Sequence, residues 1–438
     1  MSRQIRMATV ASAPVAHPPA GLPRLLLGGP DPARPIYLSE HLNLHGGFVL
    51  RGFQGDRGPM MLIDAVERAG LTGHGGAGFP TARKMRAVAG RRRPMVVVNA
   101  AEGEPASRKD ALLMRTRPHL VLDGAVLAAD AVGAREVIVA LHAGNTSVRA
   151  AVQERQAAGL DAVTITVVQV PAEYVASEES ALVRFLSGAR ALPTFTPPRP
   201  YERGVNGRPT LVQNAETLAH LALIARHGDQ WFRSVGTPAA PGSLLVTVAG
   251  AVHRPGVYEA AFGVPMKAAF DAAGGLTEPV QAVLVGGYFG TWLDAETALG
   301  VNLTPADLNA AGAGLGAGVL LALPASACGL AESQRVASWL AGQSAGQCGP
   351  CTLGLPAIAE DLAMLSRSGN TANVRNRLDR RLALVQGRGA CHHPDGAARF
   401  VASALRTFSA DLARHRRGSP CQPIRFPVLP LPGDPGAR

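Results

Sequence analysis

Ser344-Ala345-Gly346-Gln347-Cys348-Gly349-Pro350-Cys351, joined far downstream by Cys391-His392-His393, is the stretch from which the rest of the chain is read. Five cysteines are an odd count for a disulfide framework, and two of them at Cys-x-x-Cys spacing point to metal or redox chemistry. Apolar residues recur at helical spacing over 330–343, 355–366, 372–386 and 395–416. Short connections between these segments predict an up-down four-helix bundle. Such a bundle brings the connection carrying Cys348 and Cys351 to the same end as the one carrying Cys391, so three thiols can converge. On spacing alone, three cysteines with His392 or His393 also fit a Cys₃His zinc site. Cys328 stands a full helix away, ~20 Å by helical rise, and reads as a buried structural thiol. Cys421 lies in a Pro-rich tail and reads as exposed.

Outward from the bundle, 438 residues are too many for one core, and two to four domains are expected. The net charge of +11 comes mostly from arginine, since lysine occurs only as Lys84, Lys109 and Lys267. The arginines are dispersed apart from Arg91-Arg92-Arg93 and the tail, aromatics are scarce, and no nucleic-acid motif accompanies them. An acidic protein partner or an anionic cofactor accounts for the charge about as well as nucleic acid would. No apolar run reaches about 18 residues, so no transmembrane segment is expected. Pro14, Pro18 and Pro19 interrupt the apolar stretch after Arg3 and Arg6, which excludes a secretory signal and leaves the cytoplasm as the expected compartment. Residues 1–45 read as a Pro-rich, irregular and partly disordered arm, and 417–438 as a Pro-rich tail.

Residues 46–240 read as an α/β unit with a mainly parallel sheet. A helix over 60–71 ends at Gly70 and leads into Gly73-His74-Gly75-Gly76-Ala77-Gly78-Phe79-Pro80-Thr81, with Lys84 just beyond. The glycines let backbone approach a ligand closely, the next helix start favours a phosphate, and Lys84 adds a point charge; a plain flexible turn is the bland alternative. Strands are predicted at Met95–Val98, Glu136–Leu141 and Val163–Val170, alternating with helices at Leu120–Gly133 and Ser147–Gly159. The first strand runs into Asn99-Ala100-Ala101-Glu102-Gly103-Glu104-Pro105, at the strand end where open α/β sheets bind ligands. Glu178 and Glu179, after Tyr174, either cap a helix or bond a nucleotide; Asn214 and Thr217, in Gln213-Asn214-Ala215-Glu216-Thr217, either cap a helix or bond a cofactor. Residues 241–322 read as a small β-rich docking unit.

These motifs, in this order, resemble the flavin- and NADH-binding 51 kDa-type subunit of respiratory complex I, a family that includes hydrogenase diaphorase and NAD-linked formate dehydrogenase subunits. Residues 241–322, with Arg254-Pro255-Gly256-Val257-Tyr258, resemble its ubiquitin-like β-grasp SLBB module, and 323–416 its iron–sulfur bundle. The resemblance implies an oxidoreductase subunit that passes electrons from NAD(P)H through FMN to a [4Fe–4S] cluster and on to a partner such as a ferredoxin. It implies FMN over Gly73, Gly75 and Gly76, with Lys84, Asn99, Glu102, Glu104, Asn214 and Thr217 around it. It implies NADH against Phe79, Glu104, Tyr174, Glu178 and Glu179, and a cluster on Cys348, Cys351 and Cys391.

The chain departs from the family pattern at four points. Ala101 replaces an acid, Ser177 a glycine, Arg199 an aromatic that stacks on adenine, and Ala345 the first cluster cysteine. A cubane needs four ligands or loses an iron, and Ser344, His392, His393, Cys421 or a partner side chain are the candidates for the missing one. The alternative function is a non-catalytic iron–sulfur electron-transfer or docking scaffold that has lost NADH oxidation. Replacing Cys351 by Ser is expected to abolish cluster absorbance and leave flavin binding intact, as an iron assay beside flavin fluorescence would record.

Overall fold

The computed structural model describes residues 21–27, 34–46, 58–367, 372–417, 421 and 427–434. The beginning of the expected Pro-rich arm and parts of the expected tail lie outside these residues.

Valine-rich runs between helices build a four-stranded parallel sheet: β1 Met95–Ala100, β2 Glu136–Leu141, β3 Thr164–Gln169 and β4 Thr210–Asn214, in the order β3-β2-β1-β4. β1 lies at the centre, and Asn99 is in register with both Ala140 of β2 and Asn214 of β4. The two asparagines therefore end side by side at the carboxyl edge of the sheet. Two helices, Pro118–Val132 and Ala215–His227, cross so closely behind this edge that Gly124 has no room for a side chain.

The second unit is a five-stranded sheet ordered β6-β5-β9-β7-β8, made of β5 Ser243–Gly250, β6 Gly256–Ala261, β7 Val280–Val285, β8 Thr291–Asp294 and β9 Val319–Pro324. β5 pairs in parallel with β9 and the remaining pairs are antiparallel. With the helix Met266–Ala272 against it, this is the expected β-grasp layout. β9 straddles the predicted boundary at residue 322.

The C-terminal helices are Gly329–Gly342, Leu355–Arg367, Ala372–Val385, His393–Thr407 and Ser409–Arg416. A π-turn, Pro350–Gly354, precedes the second and carries Cys351. The single segment expected over 395–416 is broken at Phe408, whose buried ring packs onto Gly329 at the start of the first helix.

The arm is not wholly irregular, because Leu38–His45 is a helix. Polar anchoring, not apolar periodicity, holds it. Buried His41 lies 2.8 Å from the Asp123 carboxylate, which also pairs with Arg155 at 2.7 Å and with Arg226. Further back, the Arg24 and Leu25 backbone N–H groups donate to Glu259 at 2.8 and 2.9 Å.

A Cβ on Gly124 would lie 1.9 Å from the Leu218 carbonyl oxygen, a collision with backbone that no rotamer relieves. Gly124→Ala is expected to cost about 3 kcal/mol, read as a lowered midpoint in urea denaturation.

Candidate functional site

The glycine loop is a closed excursion. Thr72 and Pro80 form an isolated antiparallel bridge, Gly73 N–H donates to Phe79 O at 2.9 Å, and Thr81 N–H donates to Leu71 O at 3.0 Å. Between these ties Gly76 and Gly78 take left-handed backbone angles of +106° and +61°, which an L side chain resists. Residues 75–80 are exposed, and Phe79 carries the Arg83 guanidinium 5.3 Å from its ring centre.

The loop is pinned at His74. Its backbone N–H donates to Thr217 Oγ1 at 2.9 Å, and its Nδ1 lies 3.0 Å from Glu216 Oε1. Glu216 also takes Lys109 Nζ at 2.9 Å and the Leu245 N–H at 2.7 Å. Burial works against the Glu216 charge, but Lys109 and His74 outweigh it and hold the carboxyl well below the usual range. Burial likewise works against charge on Lys109, and Asp110, Glu216 and Glu102 overcome it. Lys109 belongs to none of the sequence motifs, although a lysine kept in so arginine-rich a chain is a usable signal. Between the loop and the β-grasp unit lies a cleft of about 590 Å³ lined by His74, Gly76, Lys109, Glu216 and Gly316.

The other expected site residues gather around the carboxyl ends of β1 and β4. Lys84 Nζ donates to Glu179 at 2.6 Å and to the Val212 carbonyl of β4 at 3.0 Å. Asn99 Nδ2 donates to Ser177 O at 2.9 Å, and Asn214 Nδ2 to Asp110 at 2.7 Å. Several carboxylates and amides serve structure here. Glu178 caps the helix Glu179–Leu186 by accepting from the Ser180 and Ala181 N–H groups, and Asn214 caps Ala215–His227. Glu102 accepts from the Asp110 and Ala111 N–H groups at 3.2 and 3.0 Å, at the start of the helix Lys109–Thr116.

Glu104 is buried, at 8 % exposure. It accepts from Tyr288 N–H at 2.8 Å, Ala106 N–H at 3.2 Å and Tyr174 O–H at 3.1 Å. Gly287 leaves room for it, since a Cβ there would fall 2.6 Å from Glu104 Oε2. Burial pushes the Glu104 carboxyl up to about 7, against the pull of these donors.

Two of the departures are absorbed by packing. Ala101 sits in an apolar cluster with Val97, Val170 and Leu182. The Ser177 hydroxyl turns inward, donating to Tyr174 O at 3.2 Å beside Gly103.

Cys348, Cys351 and Cys391 converge as the bundle topology requires. The Cys351 thiol is pushed up to about 12, first by burial and then by its neighbours Cys348 and Cys391. Cys391 is raised by burial, while the His393 N–H opposes, and it also feels the Glu178 charge. Among the described residues, the groups whose ligand atoms all lie within 4.8 Å of one another are Cys328–His415–Cys421 and His74–Glu216–His220. The three thiols are not all within that distance of one another. His392 points to solvent, its side chain 98 % exposed, and His393 Nε2 is 2.9 Å from Leu340 O. Cys421 is engaged elsewhere, 3.1 Å from His415, so it leaves the list of fourth ligands.

A flavin also fits the cradle. Residues 75–79 are exposed, and Thr81 Oγ1 and Gln213 Nε2 are buried without a hydrogen-bond partner among the described residues. The helix Thr81–Val88 begins with no side-chain cap on its first amides.

Three family models match the chain in succession: the Nuo51 FMN-binding domain over residues 66–223, the SLBB domain over 245–287, and the NADH-ubiquinone oxidoreductase-F iron-sulfur binding region over 331–415. The F subunit of NADH-quinone oxidoreductase from Mycobacterium bovis is 33 % identical over 386 residues, 83 % of this chain and 86 % of that protein. The chain belongs to the family of NADH-quinone oxidoreductase F subunits. The Streptomyces coelicolor member is 32 % identical over 380 residues, 83 % of this chain and 84 % of that one. A chain in the crystal structure of an air-oxidised NAD⁺-reducing [NiFe]-hydrogenase aligns with a TM-score of 0.77 at 29 % identity, covering 92 % of this chain and 69 % of that one. As a member of this family the chain is an oxidoreductase subunit with an FMN-binding domain and an iron–sulfur domain. Among the described residues no helix is long and apolar enough to cross a membrane.

The raised Glu104 carboxyl has a consequence for stability. Its folded value of about 7 exceeds the ordinary 4.5, so the folded state holds the proton more tightly. That contribution is fully present below about 4.5 and is lost as pH rises through about 7. Glu104→Gln is therefore expected to gain on the parent protein between pH 5 and 8 by up to roughly 3 kcal/mol, read as the difference between their urea midpoints.

Proposed function

We propose that this chain is the electron-entry subunit of a cytoplasmic multisubunit complex, oxidising NADH at the glycine cradle and passing electrons to a cluster on the bundle. The observation that supports this most directly is the Tyr174–Ser177 turn, which touches both sites. Tyr174 O–H bonds Glu104 at the cradle side, its backbone N–H donates to Gln343 at 3.2 Å, and its ring meets Trp339 at 5.1 Å and His393 at 5.9 Å. The next helix carries Glu179, paired with Lys84, and begins at Glu178, whose charge reaches Cys391.

Bound flavin supplies what the polypeptide lacks, accepting the two electrons of a hydride and releasing them singly. The chain's own residues do the rest. Gly73, Gly75 and Gly76 admit the cofactor to the backbone, while Lys84, Asn99, Asn214 and Thr217 supply polar contacts around it. Phe79 offers an exposed aromatic ring for a dinucleotide, and Glu178 and Glu179 would supply polar contacts to it. Glu104 holds a proton near neutral pH and can donate a hydrogen bond. Cys348, Cys351 and Cys391 would hold the cluster, and an acidic redox protein of the ferredoxin type is the expected acceptor.

The second reading, a scaffold that has lost NADH oxidation, draws on Ala345 and on Glu178 being spent as a helix cap. Anaerobic NADH added to the FMN-loaded protein separates the two. Bleaching of the flavin band at about 450 nm is expected, and a persistent band would remove the dehydrogenase reading. Lys84→Ala is expected to weaken FMN retention about tenfold in equilibrium dialysis, the loss of one charged contact of ~1.4 kcal/mol.

A further inference from the structure

At the far end of the first bundle helix, away from Cys348, Cys351 and Cys391, a second set of soft ligands comes together. Cys328 Sγ lies 3.6 Å from His415 Nε2, and Cys421 Sγ lies 3.1 Å from the same nitrogen. All three ligand atoms fall within 4.8 Å of one another. Cys328 and His415 are buried, and Cys421 is half-buried. The backbone N–H of Cys421 donates to His415 Nε2 at 3.2 Å, a bond that a cation on this nitrogen would displace.

Both sulfurs accept a hydrogen bond from a neighbouring N–H group. Cys328 caps the helix Gly329–Gly342 and accepts the Ala331 N–H at 3.4 Å. Arg414 Nη2 donates to Cys421 Sγ at 3.3 Å and also pairs with Asp411, whose carboxylate takes the Gly329 N–H at 3.0 Å. Burial and then Cys421 and Asp411 push the Cys328 thiol up to about 12.

We propose that Cys328, His415 and Cys421 bind a single thiophilic divalent cation, Zn²⁺, with a fourth position left to water. Binding releases two thiol protons to solvent, and the resulting group of two thiolates, one neutral imidazole and Zn²⁺ carries no net charge. The ion would clasp the tail to the bundle where the chain leaves its last helix. Beyond this point the tail is already fastened: Val428 N–H donates to Glu332 at 2.9 Å, and Arg335 pairs with Asp434 at 2.7 Å.

The test uses the full-length protein purified without oxygen, with its flavin and iron in place. Zinc is titrated against a chromogenic chelator and its K-edge X-ray absorption recorded, which iron does not obscure. The expected result is about one zinc per chain with a shell of two sulfurs and one imidazole nitrogen. In Cys421→Ser and His415→Ala zinc affinity is expected to fall about tenfold or more, with iron-to-protein and flavin-to-protein ratios unchanged. Three results would overturn the proposal: parent protein that binds no zinc, equal zinc binding by parent and variants, or a Cys328–Cys421 disulfide in non-reducing mass spectrometry. The absorption spectrum of the parent protein decides the matter even if a variant folds poorly.

Discussion

One buried carboxylate joins the α/β and β-grasp units. Glu104 comes from the end of β1, Tyr174 from the turn after β3, and Tyr288 from the β-grasp unit, and all three meet in the bonds that Glu104 accepts. No cation is among its hydrogen-bond partners within the described residues. A carboxyl in that position costs several kcal/mol if charged, so the fold satisfies it with donors and lets it keep a proton near neutrality. Tyr288 extends the chain of bonds, its hydroxyl donating to Pro430 O in the tail at 2.6 Å. Directed bonds thus fix how the α/β and β-grasp units and the tail meet, in distance and angle, where apolar packing alone would allow sliding.

The neighbouring Glu216 shows the opposite solution. It is as deeply buried, yet a lysine and a histidine reach it and it stays ionised. Removing Lys109 would leave an uncompensated charge at the floor of the cleft. The same logic qualifies the chain's net charge. Arg24, Arg117 and Arg155 are buried and engage carbonyls or carboxylates inside the protein. Part of the positive excess is therefore structural, and the surface seen by an acidic partner is less basic than +11 suggests.

The elements with strong periodicity are legible in the sequence. The parallel strands, the bundle helices and the convergence of Cys348, Cys351 and Cys391 follow from apolar spacing and from which connections share an end. Three kinds of feature are not. The helix Leu38–His45 depends on the buried Asp123, a tertiary partner that no local pattern announces. The break at Phe408 depends on the space left by Gly329 across the bundle. The engagement of Cys328 with Cys421 depends on the tail returning to the first helix; rise per residue separates Cys328 from the cluster thiols but says nothing of what else is near. In the site itself, the ambiguity between cap and ligand is real: Glu178 and Asn214 do cap helices, and capping leaves each a further oxygen or nitrogen for other contacts.

Ala345 gives the chain one thiolate fewer at its cluster than the family pattern supplies, and charge decides the consequence. Cluster potentials rise as the net negative charge of the ligand set falls. The surroundings here act in both directions: the His393 N–H favours a thiolate at Cys391, whereas Glu178 disfavours it. With a neutral fourth ligand in place of a thiolate, the cluster would accept electrons more readily and return them less readily. The Glu178 charge acts against that shift, and its carboxylate is held in place by the helix that it caps.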